Sequence, residues 1–332
     1  MNLFLLAAGE GTRFRPHTHS LPKPAIPFCG LPLINYSYFL AEDLNLKKIV
    51  INTFHLPEQI QKVGEALSVM GDVEVLFSHE QGLLLGGGGG LAKAKPLLVE
   101  GSNPDEAILV MNADEVIVPK KRDILKDFYQ KAQSSTEIST LLVMQHSEAG
   151  KKFGAVWVDA QGLVRGFGKS PPEGQGELKP YHFIGPMVFK QRIFNYLKVE
   201  PSNILHDNLK QLIAQGERVG IYPIECDWYE TGNLADYLLA TQYFLLSLRA
   251  MEHPLIKMWW KKYWTDWELK VTSGGTILKH ESAHIADYEN VEGFAILGQQ
   301  CRIGKRTLLK NVVCNANVVL EKEKKFQDEL FL

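Results

Sequence analysis

The chain has 332 residues, of which 45% are hydrophobic and 22% are charged, and this ordinary composition excludes disordered, collagen-like and disulfide-scaffold proteins. A formal net charge of −2 predicts no bulk attraction to nucleic acid. The four cysteines form no CxxC pair, so we expect reduced thiols in a cytoplasmic protein. The opening apolar run lacks a preceding basic segment and is too short for a signal peptide. The sequence contains no stretch of 18 apolar residues, so we expect no membrane span.

Short apolar runs alternate with amphipathic segments through residues 1–145. The predicted strands are Leu3–Ala8, Lys48–Thr53, Val73–Phe77, Ala107–Met111 and Ile138–Met144. The predicted helices lie near Pro32–Leu44, Pro57–Met70, Gly90–Leu98 and Lys120–Ala132. This alternation is typical of βα units and predicts an α/β fold with a mostly parallel sheet. Since ligands bind beyond the carboxyl ends of such strands, we expect the functional residues in the loops that follow them.

The next segment has a different pattern, which predicts added antiparallel strands and one long helix. Strands are expected at Gly154–Val158, Leu163–Phe167, Tyr181–Phe189 and Arg218–Ile224. The Pro- and Gly-rich stretch Ser170–Pro180 between them is expected to be a lid-like loop, and Asn233–Met251 is expected to be the helix.

The carboxyl-terminal part carries an apolar residue every six positions. The repeat runs through Ile285, Val291, Leu297, Ile303 and Leu309. A hexapeptide period predicts a short left-handed parallel β-helix of about two coils, with a small sandwich as the alternative. The predicted organisation is therefore a domain at 1–255, an aromatic and basic linker at 256–270 and a β-helix at 271–332.

A glycine loop directly follows the first predicted strand. Gly9 and Gly11 allow a tight backbone that directs N–H groups at an anion. The loop does not match the dinucleotide-binding motif, because Phe14 stands where the third glycine belongs and no acidic residue ends the second strand. The P-loop pattern is absent. A merely structural turn does not explain the neighbouring Arg13 or Lys23, which is held between two prolines and suits phosphate neutralisation.

Three motifs in this region together resemble the signature of sugar-1-phosphate nucleotidyltransferases. They are Gly9-x-Gly11-Thr12-Arg13-x-x-Pro16, Pro22-Lys23-Pro24 and Gly30-x-Pro32-Leu33-Ile34. The resemblance covers about residues 1–245 and continues into the tail. It implies a Rossmann-like fold of the nucleotide-diphospho-sugar transferase type. In the reaction it implies, a phosphate oxygen of a sugar 1-phosphate attacks the α-phosphorus of a nucleoside triphosphate, and pyrophosphate leaves.

The resemblance also implies a set of nucleotide-binding residues, which are Ala8, Gly9, Gly11, Thr12, Arg13, Glu80, Gly88 and Asn112. Arg13 would hold the departing pyrophosphate, and Lys23 would neutralise the α-phosphate. The run Gly86–Gly90 is costly to order, and the resemblance places it under the nucleobase. Glu80 and Gln81 either hydrogen-bond the edge of that base or lie on the surface.

Two carboxylates are expected to hold Mg²⁺. Asp114 follows the strand Ala107–Met111, where a carboxylate is a natural magnesium ligand. With Arg13 and Lys23 it completes the predicted catalytic set. Glu230 stands where the resemblance implies a metal-binding aspartate, and its alternative is a first-turn acid before a helix.

The resemblance implies a sugar-phosphate site at Gly154, Lys169 and Gly185. Lys169 matches the lysine that meets the phosphate, whereas Gly168 replaces a glutamate that contacts sugar hydroxyls. GTP with mannose 1-phosphate is the expected substrate pair. UTP with N-acetylmuramate 1-phosphate is the alternative, and a non-catalytic regulator that binds nucleotide sugars is the alternative of another class. A homo-oligomer is a further expectation, and no nucleic-acid partner is expected.

Two further motifs are expected to be structural. His280–His284 matches the HExxH zinc motif, but the hexapeptide period that begins at Ile285 predicts strands, whereas zinc binding by this motif needs a helix. The cluster of aromatic and basic residues from Trp259 to Trp267 would pack between two domains, with a membrane or partner surface as the alternative.

Overall fold

The computed structural model describes residues 1–101 and 103–332. These residues form two compact units. The first unit contains Met1–Glu10 and Tyr36–Trp228, and the second contains Gly11–Asn35 and Tyr229–Leu332. The predicted boundaries at residues 255 and 270 stay a prediction. In the part of the chain that is described, no helix combines the length and the apolar character needed to cross a membrane.

The strands are numbered in chain order. They are β1 (Asn2–Leu6), β2 (Pro27–Phe28), β3 (Leu31–Pro32), β4 (Lys48–Thr53), β5 (Glu74–His79), β6 (Ala107–Asn112), β7 (Val116–Pro119), β8 (Ser139–Met144), β9 (Ala155–Val158), β10 (Val164–Gly168), β11 (Lys179–Lys190), β12 (Val219–Pro223), β13 (Cys226–Tyr229), β14 (Trp267–Val271), β15 (Gly275–His280), β16 (His284–Ile285), β17 (Val291–Leu297), β18 (Arg302–Ile303), β19 (Leu308–Cys314), β20 (Val319–Leu320) and β21 (Lys325–Phe331).

The α-helices are α1 (Leu33–Ala41), α2 (Pro57–Gly71), α3 (Gly86–Leu98), α4 (Ile124–Ser134), α5 (Lys210–Ala214), α6 (Leu234–Ala250) and α7 (Pro254–Tyr263). Short helical turns at Thr12–Phe14, His17–His19 and Lys23–Ala25 follow the glycine loop, and a π-helical turn at Ile204–Leu209 precedes α5.

The first unit is built on a mixed sheet. Its strands run in the order β10-β9-β11-β6-β1-β4-β5, and β8 pairs with both β11 and β12. β1 is parallel to β4 and β6, β4 to β5 and β8 to β12, whereas β11 is antiparallel to all its partners. The predicted α/β fold with a mostly parallel central sheet is therefore confirmed.

The sheet brings several loops to one edge. β1, β4, β5 and β6 all point the same way, and β8 joins them because both β6 and β8 are antiparallel to β11. Central side chains such as Phe4, Val50 and Phe189 are completely buried, which explains why these strands were apolar runs in the sequence. The segments that follow the five strands meet at this carboxyl edge, where such sheets bind ligands.

The tail of the second unit consists of two parallel ladders. β15, β17, β19 and β21 form one, with β14 antiparallel to β15, and β16, β18 and β20 form the other. Gly275 pairs with Gly293 and His284 with Arg302, so residues three hexapeptides apart lie side by side. All five residues of the predicted repeat are buried, and they share one core. The left-handed β-helix itself stays a prediction.

Some element boundaries differ from the sequence predictions. Helix α3 begins at Gly86 instead of Gly90, and α4 begins at Ile124 instead of Lys120, a few residues after the strand β7. The segment predicted as a linker, 256–270, contains most of α7 and the start of β14.

The aromatic cluster of this segment is packed inside the second unit. Trp259 and Trp264 are buried, and the indole N–H of Trp264 donates to the carbonyl oxygen of Cys29 at 2.8 Å. The ring of Trp267 lies against Gly30, where any Cβ would overlap it. Trp264 and Trp267 therefore stabilise the turn between β2 and β3.

Candidate active site

A buried asparagine holds the backbone that leaves the first strand. The N–H groups of Ala7 and Ala8 both donate to Oδ1 of Asn52, at 2.7 and 3.2 Å. The amide nitrogen of Asn52 donates to Oε1 of Glu80 at 2.7 Å, and Oε2 of Glu80 accepts from the N–H of Leu85 at 2.7 Å. The ends of β1, β4 and β5 and the start of α3 are thereby tied together.

This network gives Glu80 an internal role. Its side chain is 1% exposed, and both carboxylate oxygens accept hydrogen bonds from the protein. Glu80 is therefore not a surface residue, and its predicted contact with a base edge stays a prediction. Gln81, the other candidate for that contact, is exposed.

The run of five glycines forms the first turns of α3 and packs against the segment Glu200–Asn208. The N–H of Gly88 donates to the carbonyl oxygen of Ser202 at 3.0 Å. A Cβ on Gly88 would overlap the side chain of Asn208, and one on Gly89 would overlap the carbonyl oxygen of Glu200. Close packing within the protein therefore explains why glycine occupies these positions. The contact of Gly88 with a nucleotide stays a prediction.

A second polar network lies at the carboxyl end of β6. The hydroxyl of Ser37 donates to the carbonyl oxygen of Asn112 at 2.7 Å, and the amide of Asn112 donates to Oε1 of Glu115 at 3.3 Å. The indole N–H of Trp228 donates to Oε2 of Glu115 at 2.9 Å. A Cβ on Gly185, whose φ is +110°, would lie 3.0 Å from Cγ of Glu115. Only glycine fits this close approach.

Sequence reasoning did not identify Glu115. Its position directly after Asp114, in the turn between β6 and β7, was the available signal. Asp114 is half-buried in the same turn at the carboxyl edge, where the sequence predicted a carboxylate.

Four rings form a compact cluster beside this network. The ring of His182 lies 4.5 Å from that of Trp228, 4.9 Å from Phe153 and 5.6 Å from His146, measured between centroids. Burial, with a smaller contribution from the positive charge of His146, lowers the pKa of His182 to about 4. The imidazole is therefore neutral at physiological pH.

The predicted sugar-phosphate residues near β9 and β10 are more open. Gly154 and Lys169 are exposed, and a Cβ on Gly168 would meet no atom within 4 Å. A Cβ on Gly154 would lie 3.9 Å from the Cα of Gly168, so the two glycines face each other. The indole N–H of Trp157 donates to the carbonyl oxygen of Gly168 at 3.0 Å and holds that backbone in place.

In the second unit, Thr18 supports the glycine loop. Gly11 has a φ of +60°, and its carbonyl oxygen accepts from the hydroxyl of Thr18 at 3.0 Å and from the N–H of Phe14 at 2.8 Å. A Cβ on Gly11 would lie 2.9 Å from Cγ2 of Thr18 and 3.3 Å from Cβ of Lys23. Thr18 is therefore a positioning residue that sequence reasoning missed, because only its place between two histidines distinguished it.

The structure places the two predicted cations of this loop differently. Arg13 is exposed in the turn Thr12–Phe14, whereas Lys23 is 9% exposed in the turn Lys23–Ala25. Between them, Phe14 is buried with its ring edge-on to Tyr237, at a centroid distance of 5.5 Å. Arg13 therefore stands on a turn whose apolar residue is anchored in the core of the second unit.

Arg13 and Glu230 meet at a buried glycine. Oε1 of Glu230 accepts from the N–H of Gly232 at 2.7 Å. A Cβ on Gly232 would overlap that oxygen and lie 3.0 Å from Nη1 of Arg13. The structure thus brings together two residues that the sequence assigned to pyrophosphate and to metal.

Within residues 1–101 and 103–332, no group of three or more His, Cys, Asp or Glu side chains is arranged to hold a metal ion. The HExxH segment is not helical, because His280 ends β15 and His284 begins β16. Its two histidines therefore do not share the helix face that the zinc motif needs.

Comparison with protein families decides the classification. The family model described as nucleotidyl transferase matches residues 3–246, which is most of the chain. The chain belongs to the nucleotidyl transferase family. Membership of this family agrees with the motifs around the glycine loop, which lie within the matched residues.

Named relatives of this family member differ in substrate. This chain is 26% identical over 252 residues to the mannose-1-phosphate guanylyltransferase catalytic subunit beta of Drosophila melanogaster. The match covers 75% of this chain and 64% of that protein. The chain is 24% identical over 332 residues to the UTP–glucose-1-phosphate uridylyltransferase of Synechocystis sp., covering 94% of this chain and 82% of that protein. The chain thus spans less than two thirds of the guanylyltransferase.

The fold is shared with a solved structure of the inositol-1-phosphate CTP transferase from T. maritima. The TM-score is 0.57 at 20% identity, and the match covers 72% of this chain and 94% of that one. The predicted site residues of this family member fall in both units. The first unit contains Ala8, Gly9, Glu80, Gly88, Asn112, Asp114, Gly154, Lys169 and Gly185, and the second contains Gly11, Thr12, Arg13, Lys23 and Glu230.

Proposed function

We propose that the protein transfers a nucleotidyl group from a nucleoside triphosphate to a sugar 1-phosphate and releases pyrophosphate. The family match over residues 3–246 carries this proposal. GTP with mannose 1-phosphate is the proposed pair, supported by the name of the Drosophila relative. UTP with glucose 1-phosphate, supported by the Synechocystis relative, and UTP with N-acetylmuramate 1-phosphate are the alternatives.

The proposed chemistry needs positioning and charge neutralisation more than proton transfer. The second pKa of a phosphate monoester is about 6, so the attacking phosphate is already largely a dianion at neutral pH. The difficulty is to bring several anions together. In this proposal Gly9 and Gly11 contact the nucleotide through backbone N–H groups, Arg13 holds the departing pyrophosphate, and Lys23 neutralises the α-phosphate. Lys169 meets the phosphate of the sugar.

Mg²⁺ is the proposed cofactor, with Asp114 and Glu230 as its proposed ligands. Asp114 offers hard carboxylate oxygens at the carboxyl edge, and Oε1 of Glu230 carries one hydrogen bond, from the N–H of Gly232. A Mg²⁺ that serves phosphate chemistry is typically held by one or two carboxylates together with substrate phosphates, so a larger cluster of protein ligands is not needed. When bound, the ion would supply charge stabilisation to the phosphate oxygens.

For the tail, we propose a left-handed parallel β-helix that mediates assembly of a homo-oligomer. Support comes from the eighteen-residue spacing of paired positions, such as Gly275 with Gly293. Further support comes from Gly304, where a Cβ would lie 2.6 Å from the backbone nitrogen of Lys322, as expected if neighbouring coils stack closely.

The test is a pyrophosphate-release assay with four nucleoside triphosphates against mannose, glucose and N-acetylmuramate 1-phosphates in the presence of Mg²⁺. We expect turnover with one preferred pair. Lys23→Ala and Arg13→Ala should each lose about 10²–10³ in rate, as for one preorganised donor. Lys62→Ala, an exposed lysine on α2, is the matched control and should retain full rate. Full activity in a purified double variant of Arg13 and Lys23 would contradict the assignment.

A regulator that binds nucleotide sugars without turnover is the second candidate. Its support is the departure of this sequence from the family pattern at Gly168 and Glu230, where the resemblance implies a sugar-binding glutamate and a metal-binding aspartate. Binding of a GDP- or UDP-sugar without pyrophosphate release from any pair would support it over the enzyme.

A further inference from the structure

The ring cluster around His182 lies at the ligand-binding edge of the sheet. β11 runs antiparallel to β6 with Met187 opposite Val110, so the preceding residues of β11 extend past the carboxyl end of β6. His182 itself pairs with Met144, the last residue of β8. His182 is therefore flanked by the ends of two strands that point towards the binding edge.

His182 carries polar atoms for which the described chain offers no partner. The residue is 8% exposed, and within residues 1–101 and 103–332 neither ring nitrogen has a hydrogen-bond partner. Neighbouring polar ring atoms are used, since Nδ1 of His146 accepts from the N–H of Glu148 at 3.1 Å and the indole of Trp228 donates to Glu115. Buried polar groups without partners are costly, so each one in a native protein calls for an explanation, and a ligand contact is one of them.

The backbone around the cluster departs from regular strand pairing. The pairing of β11 with β8 is interrupted between Phe183 and Met187, and Gly185 in the gap has a φ of +110°. Phe153, whose ring contacts His182, is followed by Gly154, which faces the open space at Gly168. Phe153 and its chain neighbour Gly154 thus connect the cluster to the open position at Gly168.

The charges nearby define the kind of group that fits. A neutral imidazole offers one hydrogen-bond donor and one acceptor, and it does not neutralise the negative charge of a phosphate. The carboxylate of Glu115 is already engaged by Asn112 and Trp228. An uncharged hydroxyl, which both donates and accepts, matches what His182 lacks. Aromatic rings such as Trp228 and Phe153 suit the apolar face of a sugar.

We propose that His182 is a specificity-determining residue whose ring nitrogens hydrogen-bond a hydroxyl group of the sugar 1-phosphate. The assignment rests on the proposed function, since it places the sugar of that reaction against the cluster. His182 would then supply a polar contact to the sugar at a site where Gly168 supplies none.

The kinetic test uses His182→Phe, which keeps a ring in the cluster and removes both nitrogens. With mannose 1-phosphate or glucose 1-phosphate, whichever the wild type prefers, we expect kcat/KM to fall about 10- to 100-fold, while KM for the nucleotide is unchanged. His182→Gln should recover part of the loss. His284→Phe, an exposed histidine of β16, is the matched control and should behave as the wild type.

Monodeoxy analogues of that sugar phosphate separate recognition from packing. The wild type should discriminate against one deoxy analogue by about 10-fold or more, and His182→Phe should lose that discrimination. Equal discrimination in both proteins would overturn the proposal. Loss of a residue that only packs should lower kcat/KM for all sugar phosphates by the same factor. Absence of turnover by the wild type with every pair would instead refute the proposed function.

Nuclear magnetic resonance of the histidine ring nitrogens tests the contact without turnover. The signals of His182, assigned by their loss in His182→Phe, should shift when mannose 1-phosphate or glucose 1-phosphate is added and not when nucleotide alone is added. Unchanged His182 signals with both sugar phosphates at saturating concentration would overturn the proposal.

Discussion

The substitution Glu80→Gln distinguishes an anchoring role of this residue from direct reading of a base. In the structure the two carboxylate oxygens accept from the amide of Asn52 and the N–H of Leu85, each at 2.7 Å. Glutamine has nearly the same shape but replaces one oxygen with an NH₂ group. Whichever way the amide is oriented, one donor of the protein then faces another donor.

The expected cost follows from these contacts. A hydrogen bond to a charged group contributes about 1.5–3 kcal/mol, and a buried donor left without an acceptor costs a similar amount. Since one bond of the pair survives, we expect the free energy of unfolding to fall by about 2–3 kcal/mol. Activity should fall equally for all nucleotides, because the backbone of Ala7 and Ala8 is displaced through Asn52.

Urea denaturation at pH 7 measures this loss, and Glu74→Gln is the matched control. Glu74 lies on the same strand, β5, and is exposed, so its substitution should change stability by no more than about 0.5 kcal/mol. If Glu80→Gln is as stable as the wild type and changes KM for only one of the four nucleotides, Glu80 reads the base and the anchoring argument is refuted.

Three further predictions concern the glycine run, the loop support and the buried histidine. Gly89→Ala should destabilise the protein by at least about 2 kcal/mol in urea titration, because the new Cβ overlaps the carbonyl oxygen of Glu200; an unchanged midpoint would contradict the packing described. Thr18→Val should cost about 1 kcal/mol by removing the hydrogen bond to Gly11 while keeping the methyl contact, and a stabilised variant would refute that role. His182 has a folded-state pKa of about 4, below its ordinary value of about 6.5, so the unfolded chain binds the proton more readily. This contribution of His182 to stability is therefore complete above about pH 6.5 and is lost as the pH falls through about 4, by about 3 kcal/mol in total; His182→Phe should lack this part of the pH dependence, and an identical profile in the variant would contradict it.

Much of the fold was predictable because strands and helices differ in the period of their apolar residues. β4 has the predicted bounds, Lys48–Thr53, and α6 lies within the predicted Asn233–Met251, with Asn233 as its N-cap. The hexapeptide residues are buried as expected. The start of α3 was less predictable, because a run of glycines has low helix propensity and only its packing partners explain it.

The candidate site was predictable where a motif is local. The glycine loop, Arg13 and Lys23 all lie between residues 9 and 23, so their pattern was visible in the chain. The partners of buried polar groups were not, since Glu80 pairs with Asn52, and Trp228 reaches Glu115 across more than a hundred residues.

The amino-acid sequence alone therefore determined the alternation of elements, the family motifs and the repeat of the tail, because each depends on residues that are neighbours or evenly spaced. Tertiary structure decided which buried polar groups are satisfied by the protein. It assigned Glu80 to an internal network and left His182 buried, with no hydrogen-bond partner among the described residues. The reason is physical: hydrogen bonding of buried groups depends on distance in space, which separation along the chain does not reveal.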